Sequence, residues 1–172
     1  MRSDDVMFSA SVRAEQERRG SREAYARRAA TGGFAKDLSD DAIAFIRARN
    51  SGYLATASAD GQPYVQHRGG PPGFIAVLDR RTVAFAEYPG NRQFISSGNL
   101  AENERAFLFL MDYAGGRRLK LWGTARMIGE RELLDGLAAP EGIKPESAIV
   151  FTIRAIDWNC SQHIPVLVPQ TP

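Results

Sequence analysis

The feature that most limits what this chain can fold into is a train of short strand-like segments running from Tyr53 to Ile156. Most are only a few residues long and are bounded by Gly, Pro, Asn or Asp, the punctuation of antiparallel sheets. Tyr53–Ser58 runs into Asp60-Gly61, a strong hairpin-turn pair, and resumes as Tyr64–Arg68. Phe74–Leu78 and Thr82–Phe85 flank the turn Asp79-Arg80-Arg81, and further strands are predicted at Arg105–Met111, Arg118–Ile128 and Ala148–Ile156. A short helix is predicted through Phe94, Ile95 and Leu100, and a helical turn near Glu130–Leu137. So many short strands with so few helices describe a mainly β chain with flanking helices, closed as a small barrel.

The segment Arg118-Leu119-Lys120-Leu121-Trp122 alternates cleanly. Leu119 and Leu121 face one way, while Arg118, Lys120 and Trp122 face the other. Basic groups beside an indole on the non-core face fit a ligand, a subunit partner or a plain exposed strand face. Ahead of the strands, Ser9–Ala30 reads as one helix with sparse apolar positions, broken by Gly32-Gly33. A better-marked helix follows, with Ser39 as its cap, Asp40 and Asp41 in its first turn, and Ile43, Phe45 and Ile46 as its core stripe. The chain therefore divides into an N-terminal helical extension, residues 1–38, and a barrel domain, residues 39–172.

Composition narrows the function classes. A chain of 172 residues buries roughly 70 % of its unfolded surface as one domain. Its 22 basic and 20 acidic residues nearly cancel, which argues against a nucleic-acid partner. The basic residues of the N-terminal third are interleaved with Glu15, Glu17 and Glu23, the pattern of a solvated helix face. With two histidines and one cysteine, Cys160, neither a disulfide framework nor a closed Cys/His zinc site is available, and no metal site is read. No apolar run reaches the ~20 residues of a membrane span, and Met1–Asp5 has no signal-peptide core. The expected setting is cytoplasmic.

Three segments have compositions that invite chemistry. In Gln66-His67-Arg68-Gly69-Gly70-Pro71-Pro72-Gly73 a strand ends in three polar side chains, and glycines then permit close backbone approach. Arg68 there suits a phosphate; the alternative is a Gly/Pro turn with a solvated arginine. In Tyr88-Pro89-Gly90-Asn91-Arg92-Gln93, Asn91 can cap the following helix, so that free N–H groups and Arg92 form an anion site. An ordinary capped helix is the alternative. In Asp157-Trp158-Asn159-Cys160-Ser161-Gln162-His163 the indole offers a stacking surface for a flat heteroaromatic ligand, or else plugs the barrel.

These segments, in this order, resemble the pyridoxamine 5′-phosphate oxidase-like FMN-binding family, in a branch carrying Gln66–Gly73 and Gly90-Asn91-Arg92-Gln93. The likeness extends to Phe107–Tyr113, Arg118–Gly123 and Asp157–Pro165. It implies a six-stranded split β-barrel, homodimeric, with FMN at the subunit interface. It further implies flavin contacts at Gln66, His67, Arg68 and Gly69, a phosphate grip at Asn91, Arg92 and Gln93, Arg118 reaching from the second subunit, Lys120 on the same face, and Trp158 near the ring. Gln93 stands where the oxidase has a lysine. The oxidase's substrate pattern is missing: Ser161-Gln162-His163 has no arginine two before the histidine, and Pro71-Pro72-Gly73 replaces a basic position. The resemblance thus implies an FMN-dependent oxidoreductase acting on an unidentified small molecule or electron donor, with His163 as a candidate catalytic group. A flavin carrier or sensor without turnover, or a haem-handling barrel using His163 or His67, is the alternative.

Overall fold

A strand with two unlike faces must keep one of them from water, and that requirement builds the molecule. The computed structural model describes residues 2–88, 90–140, 142–158 and 162–167. Among them are seven strands: β1 (Ser51–Ala57), β2 (Pro63–Gly69), β3 (Ala76–Asp79), β4 (Thr82–Glu87), β5 (Arg105–Asp112), β6 (Arg117–Ile128) and β7 (Ser147–Trp158). They form one antiparallel sheet in the order β2-β1-β5-β6-β7-β4-β3. The split-barrel fold is the expected one; the sheet has one strand more than the resemblance implies, because the short β3 pairs with β4.

Burial follows the pleat. β1 and β5 alternate residue by residue, and in β6 Leu119, Leu121 and Ala125 are buried while Arg118, Lys120 and Trp122 are half-exposed. Leu54, Leu108, Leu110, Leu119, Leu121, Ile149, Phe151 and Ile153 make a single core with Phe74, Ile75 and Phe85. Helix α4 (Asp40–Arg47) adds Ala42, Phe45 and Ile46 to it, and the Ser39 hydroxyl accepts from the Ala42 N–H as a helix cap. At the other end of α4, Arg49 reaches the Met111 carbonyl and the Asp112 carboxylate. The Gly115 N–H and Arg49 hold the Asp112 carboxyl below its ordinary range. On the outer side, α6 (Arg131–Asp135) lays Leu134 over Ala84, Ala86 and Ala148.

The extension differs from its expectation. In place of one helix over Ser9–Ala30 it forms α1 (Ser3–Met7), α2 (Ala10–Arg18) and α3 (Arg22–Ala30). The break falls at Gly20, whose φ of +74° is left-handed and ends α2. Phe8 meets Tyr25 and Phe34 edge to face, a small apolar cluster that holds the pieces together. Helix α5 (Ile95–Glu102) lies across the inner side of β1 and β2, where Asn99 donates to the Thr56 hydroxyl at 3.0 Å. Among the described residues no helix is long and apolar enough to cross a membrane.

A flat sheet cannot wrap a core, and the bend has an address. Between β6 and β7 the register slips, Trp122 facing Ala155 while Gly123 faces Ile153, so Arg154 is an extra, outward residue. At this bulge a Cβ on Gly123 would lie 2.1 Å from the Thr152 carbonyl oxygen and 2.6 Å from the Phe151 ring. Glycine is required by contact with backbone that cannot yield. Gly123→Ala is expected to lower stability by about 3 kcal/mol, in the range of core overpacking, read as a fall in the urea midpoint.

Candidate functional site

Strand alternation gives β2 two chemically distinct sides. Tyr64, Gln66 and Arg68 register with the buried Thr56, Leu54 and Gly52 of β1, so they face inward. Val65 and His67 face outward and are exposed. The inward side meets the end of β4 and the loop leading to α5, and together they enclose a cleft of about 240 Å³. It is lined by Tyr64, Gln66, Glu87, Tyr88 and the run from Gly90 to Ser97.

A polar chain crosses the floor. Arg68 donates to Glu87 at 2.5 Å and to the Gln66 side-chain oxygen at 2.7 Å, and that oxygen also accepts from the Ser96 hydroxyl at 2.8 Å. Arg68 is buried, its side chain 10 % exposed. Its Nε has no hydrogen-bond partner among the described residues. That nitrogen is sealed from solvent, so Arg68 is a wall group whose ion pair, more than its free donor, shapes the floor. Glu87 takes up the charge of Arg68, so Arg92 carries the remaining full positive charge on the 90–97 loop. Burial raises the pKa of the neighbouring Tyr88 hydroxyl, which donates to the Ala138 carbonyl.

The loop itself is strained. Arg92 and Phe94 are left-handed, at φ +59° and +52°, a conformation that costs ordinary residues energy and gathers at functional sites. Asn91 does not cap α5, as its position had led us to expect. Its side-chain oxygen accepts from the Gln93 N–H at 3.2 Å, turning the loop, and α5 starts at Ile95 after the left-handed Phe94, with no side-chain cap. The first intrahelical bond runs from the Gly98 N–H to the Phe94 carbonyl. Ile95, Ser96 and Ser97, whose N–H groups precede that bond and so have no intrahelical acceptor, belong to the cleft lining, and such free N–H groups can bind anions.

The other candidate residues lie elsewhere. His67, Tyr53, Phe109 and Lys120 follow one another across the outer face of β2, β1, β5 and β6, with Phe107 and Trp122 in the next row. Tyr53 meets His67 at 5.7 Å and Phe107 meets Trp122 at 4.8 Å, both edge to face. Lys120 lies 5.3 Å from the Trp122 ring centre, and a hydrogen bond with Tyr53 raises the Tyr113 pKa. Arg118 shares this face. Trp158 does not: it pairs with Leu119, packs edge to face on Phe45 at 4.9 Å and has Arg117 over its ring at 4.5 Å. It plugs the barrel end, away from the cleft. His163 is exposed with a left-handed φ of +62°. Gly69 closes β2 at its junction with Asn50, whose carbonyl accepts from Gly70. Asn159, Cys160 and Ser161 fall outside the described residues.

Glu87, Ser96 and Tyr64 were not foreseen. Glu87 ends an apolar strand and gains its meaning only from Arg68, a partner on another strand. The Ser96-Ser97 pair at a helix start was the one local signal available.

The sequence signature of pyridoxamine 5′-phosphate oxidase matches residues 38–160. The chain belongs to that family. No curated protein sequence matches it. Among solved structures the family member is similar to HupZ from Group A Streptococcus, at 16 % identity and a TM-score of 0.56, over 71 % of this chain and 99 % of that one. A candidate pyridoxamine 5′-phosphate oxidase from Lactobacillus delbrueckii gives 21 % identity and a TM-score of 0.56, over 72 % and 95 % of the two chains. A conserved hypothetical protein of Mycobacterium tuberculosis gives 17 % and 0.54, over 80 % and 95 %. These likenesses show the fold.

The cleft floor yields a direct test. Removing one member of a buried pair strands the other charge, so Arg68→Ala is expected to cost about 3 kcal/mol. Adding Glu87→Ala is expected to cost less than the two single changes summed, in a double-mutant cycle followed by urea unfolding.

Proposed function

We propose that the chain is a homodimeric FMN-binding protein that carries out oxidoreduction of a small molecule other than pyridoxamine phosphate. The observation that carries the reading is the cleft between β2 and the 90–97 loop: a strained loop presenting Arg92 and an uncapped helix start, over a floor whose buried Arg68 is paired with Glu87, all within the family's barrel. A monoester phosphate bears about −1.5 to −2 charges at neutral pH. Arg92 and the N–H groups of Ile95 to Ser97 would hold it. Arg68, beneath the lining, is paired with Glu87 and so keeps the cleft floor neutral.

The division of the candidates between two faces supports the dimer. Gln66, Arg68, Asn91, Arg92 and Gln93 gather at the inward cleft, while His67, Arg118 and Lys120 lie on the outer, aromatic face. One copy does not offer both sets to a single flavin, and a second copy supplying its outer face would complete the site. Bound flavin supplies the redox chemistry; the chain binds, orients and tunes it. Lys120 and Arg118 would favour negative charge on the ring's pyrimidine edge. The missing arginine before His163 and the Pro71-Pro72-Gly73 turn set the substrate apart from the oxidase's own.

Purified protein is expected to quench FMN fluorescence on titration, with Arg92→Ala weakening binding at least tenfold; tight binding by the variant would overturn the phosphate assignment. Anaerobic mixing with NADH or NADPH then distinguishes turnover from a carrier, which would stay yellow. Sedimentation should show a dimer, and Phe109→Lys, which places a charge in the aromatic face, should yield monomers.

A further inference from the structure

Residues 31–38 bind the N-terminal extension to the end of β7. The Ile156 N–H donates to the Ala35 carbonyl at 2.9 Å, and Phe34 is buried. From α3, the Arg28 guanidinium lies over the Phe34 ring at 4.4 Å. Its stem crosses Gly33 so closely that a Cβ there would fall 2.3 Å from Arg28 Cγ. That path ends on Asp157: Nη2 donates to Oδ1 at 2.6 Å. The second oxygen of the same carboxylate, Oδ2, is 3.3 Å from Lys120 Nζ. Asp157 is 11 % exposed and Lys120 is half-buried, while the Arg28 side chain is 42 % exposed, so water screens the Arg28 end of the trio more than the Lys120 end.

One carboxylate is thus divided between two cations. With Arg28 in place the trio carries a net positive charge toward the outer face. Without it, Asp157 would turn wholly to Lys120, drawing the ammonium inward and cancelling its field. We propose that Arg28, acting through Asp157, is a positioning residue for Lys120, so that the N-terminal extension sets how strongly the site favours reduced over oxidised flavin. This rests on the flavin reading above and adds to it a distant control point outside the barrel.

The test uses full-length protein loaded with FMN, its midpoint potential measured by equilibrium dye titration alongside thermal melting. Arg28→Gln is expected to weaken reduced relative to oxidised FMN by about three- to tenfold, a fall on the order of 15 to 30 mV for a two-electron couple. Arg28→Lys should hold the wild-type potential, and Asp157→Asn, which releases Lys120, should move it upward. A merely structural role would alter the melting temperature and leave the potential unmoved. If Arg28→Gln keeps the wild-type potential while Lys120→Met lowers it, the linkage is wrong and the flavin reading stands. If neither variant moves the potential, the role of Lys120 and the linkage both fail. Absence of FMN binding by the wild-type protein would overturn both proposals together.

Discussion

Curling a seven-stranded sheet into a barrel brings its two ends toward each other, and here a buried ion pair spans the gap. Arg68 belongs to β2 at one end of the strand order and Glu87 to β4 near the other. Their contact is 19 residues apart in sequence but joins opposite margins of the sheet. Everything attributed to the cleft depends on that meeting. The loop after β4 must pass beside β2, α5 must lie across the remaining opening, and Gln66 must turn inward to receive Ser96. A barrel joined by apolar contact at this point would gain stability more cheaply, so a charged pair here fits a place where the wall must also present polar groups to something bound.

The sheet is complementary in its two surfaces. Inside, branched and aromatic side chains fill the barrel. Outside, the same strands display aromatic rings with basic residues among them, Arg105, Arg118 and Lys120 included. β6 expresses both at once, because its pleat assigns Leu119 and Leu121 to one side and Arg118, Lys120 and Trp122 to the other. The bulge does not disturb this assignment: the extra residue, Arg154, belongs to β7, and β6 alternates without a break through Gly123 and Ala125. β6 pairs with β7 on both sides of Gly123, from Leu119 opposite Trp158 to Ile128 opposite Ala148.

Much of this was legible beforehand for a definite reason. Period-two alternation is local, so β1, β5 and β6, the Asp60-Gly61 turn and the Ser39 cap were readable from neighbouring residues. The segments around Arg68 and Arg92 were also visible, since glycine and proline mark unusual backbone. What escaped was set by distant partners. Nothing near Glu87 announces Arg68, and nothing near Asp157 announces Arg28, 129 residues away. Trp158 carried two readings until its register with Leu119 placed it on the core side. Asn91 looked like a helix cap because its spacing allowed one; the left-handed Phe94 delayed the helix start and gave the asparagine a turn to close. The single predicted helix over Ser9–Ala30 failed at Gly20, where weak apolar patterning offered nothing to carry the helix through.

The short strand β2 has one more consequence. As an outermost strand it exposes a row of unpaired amides and carbonyls, the usual invitation to unwanted sheet extension. Pro63 opens it without an N–H, and the Gly69-Gly70-Pro71-Pro72 stretch ends it where no strand can continue. Neighbouring molecules find no long ladder there to extend. The same punctuation that borders the cleft also shortens the edge that β2 offers for sheet extension.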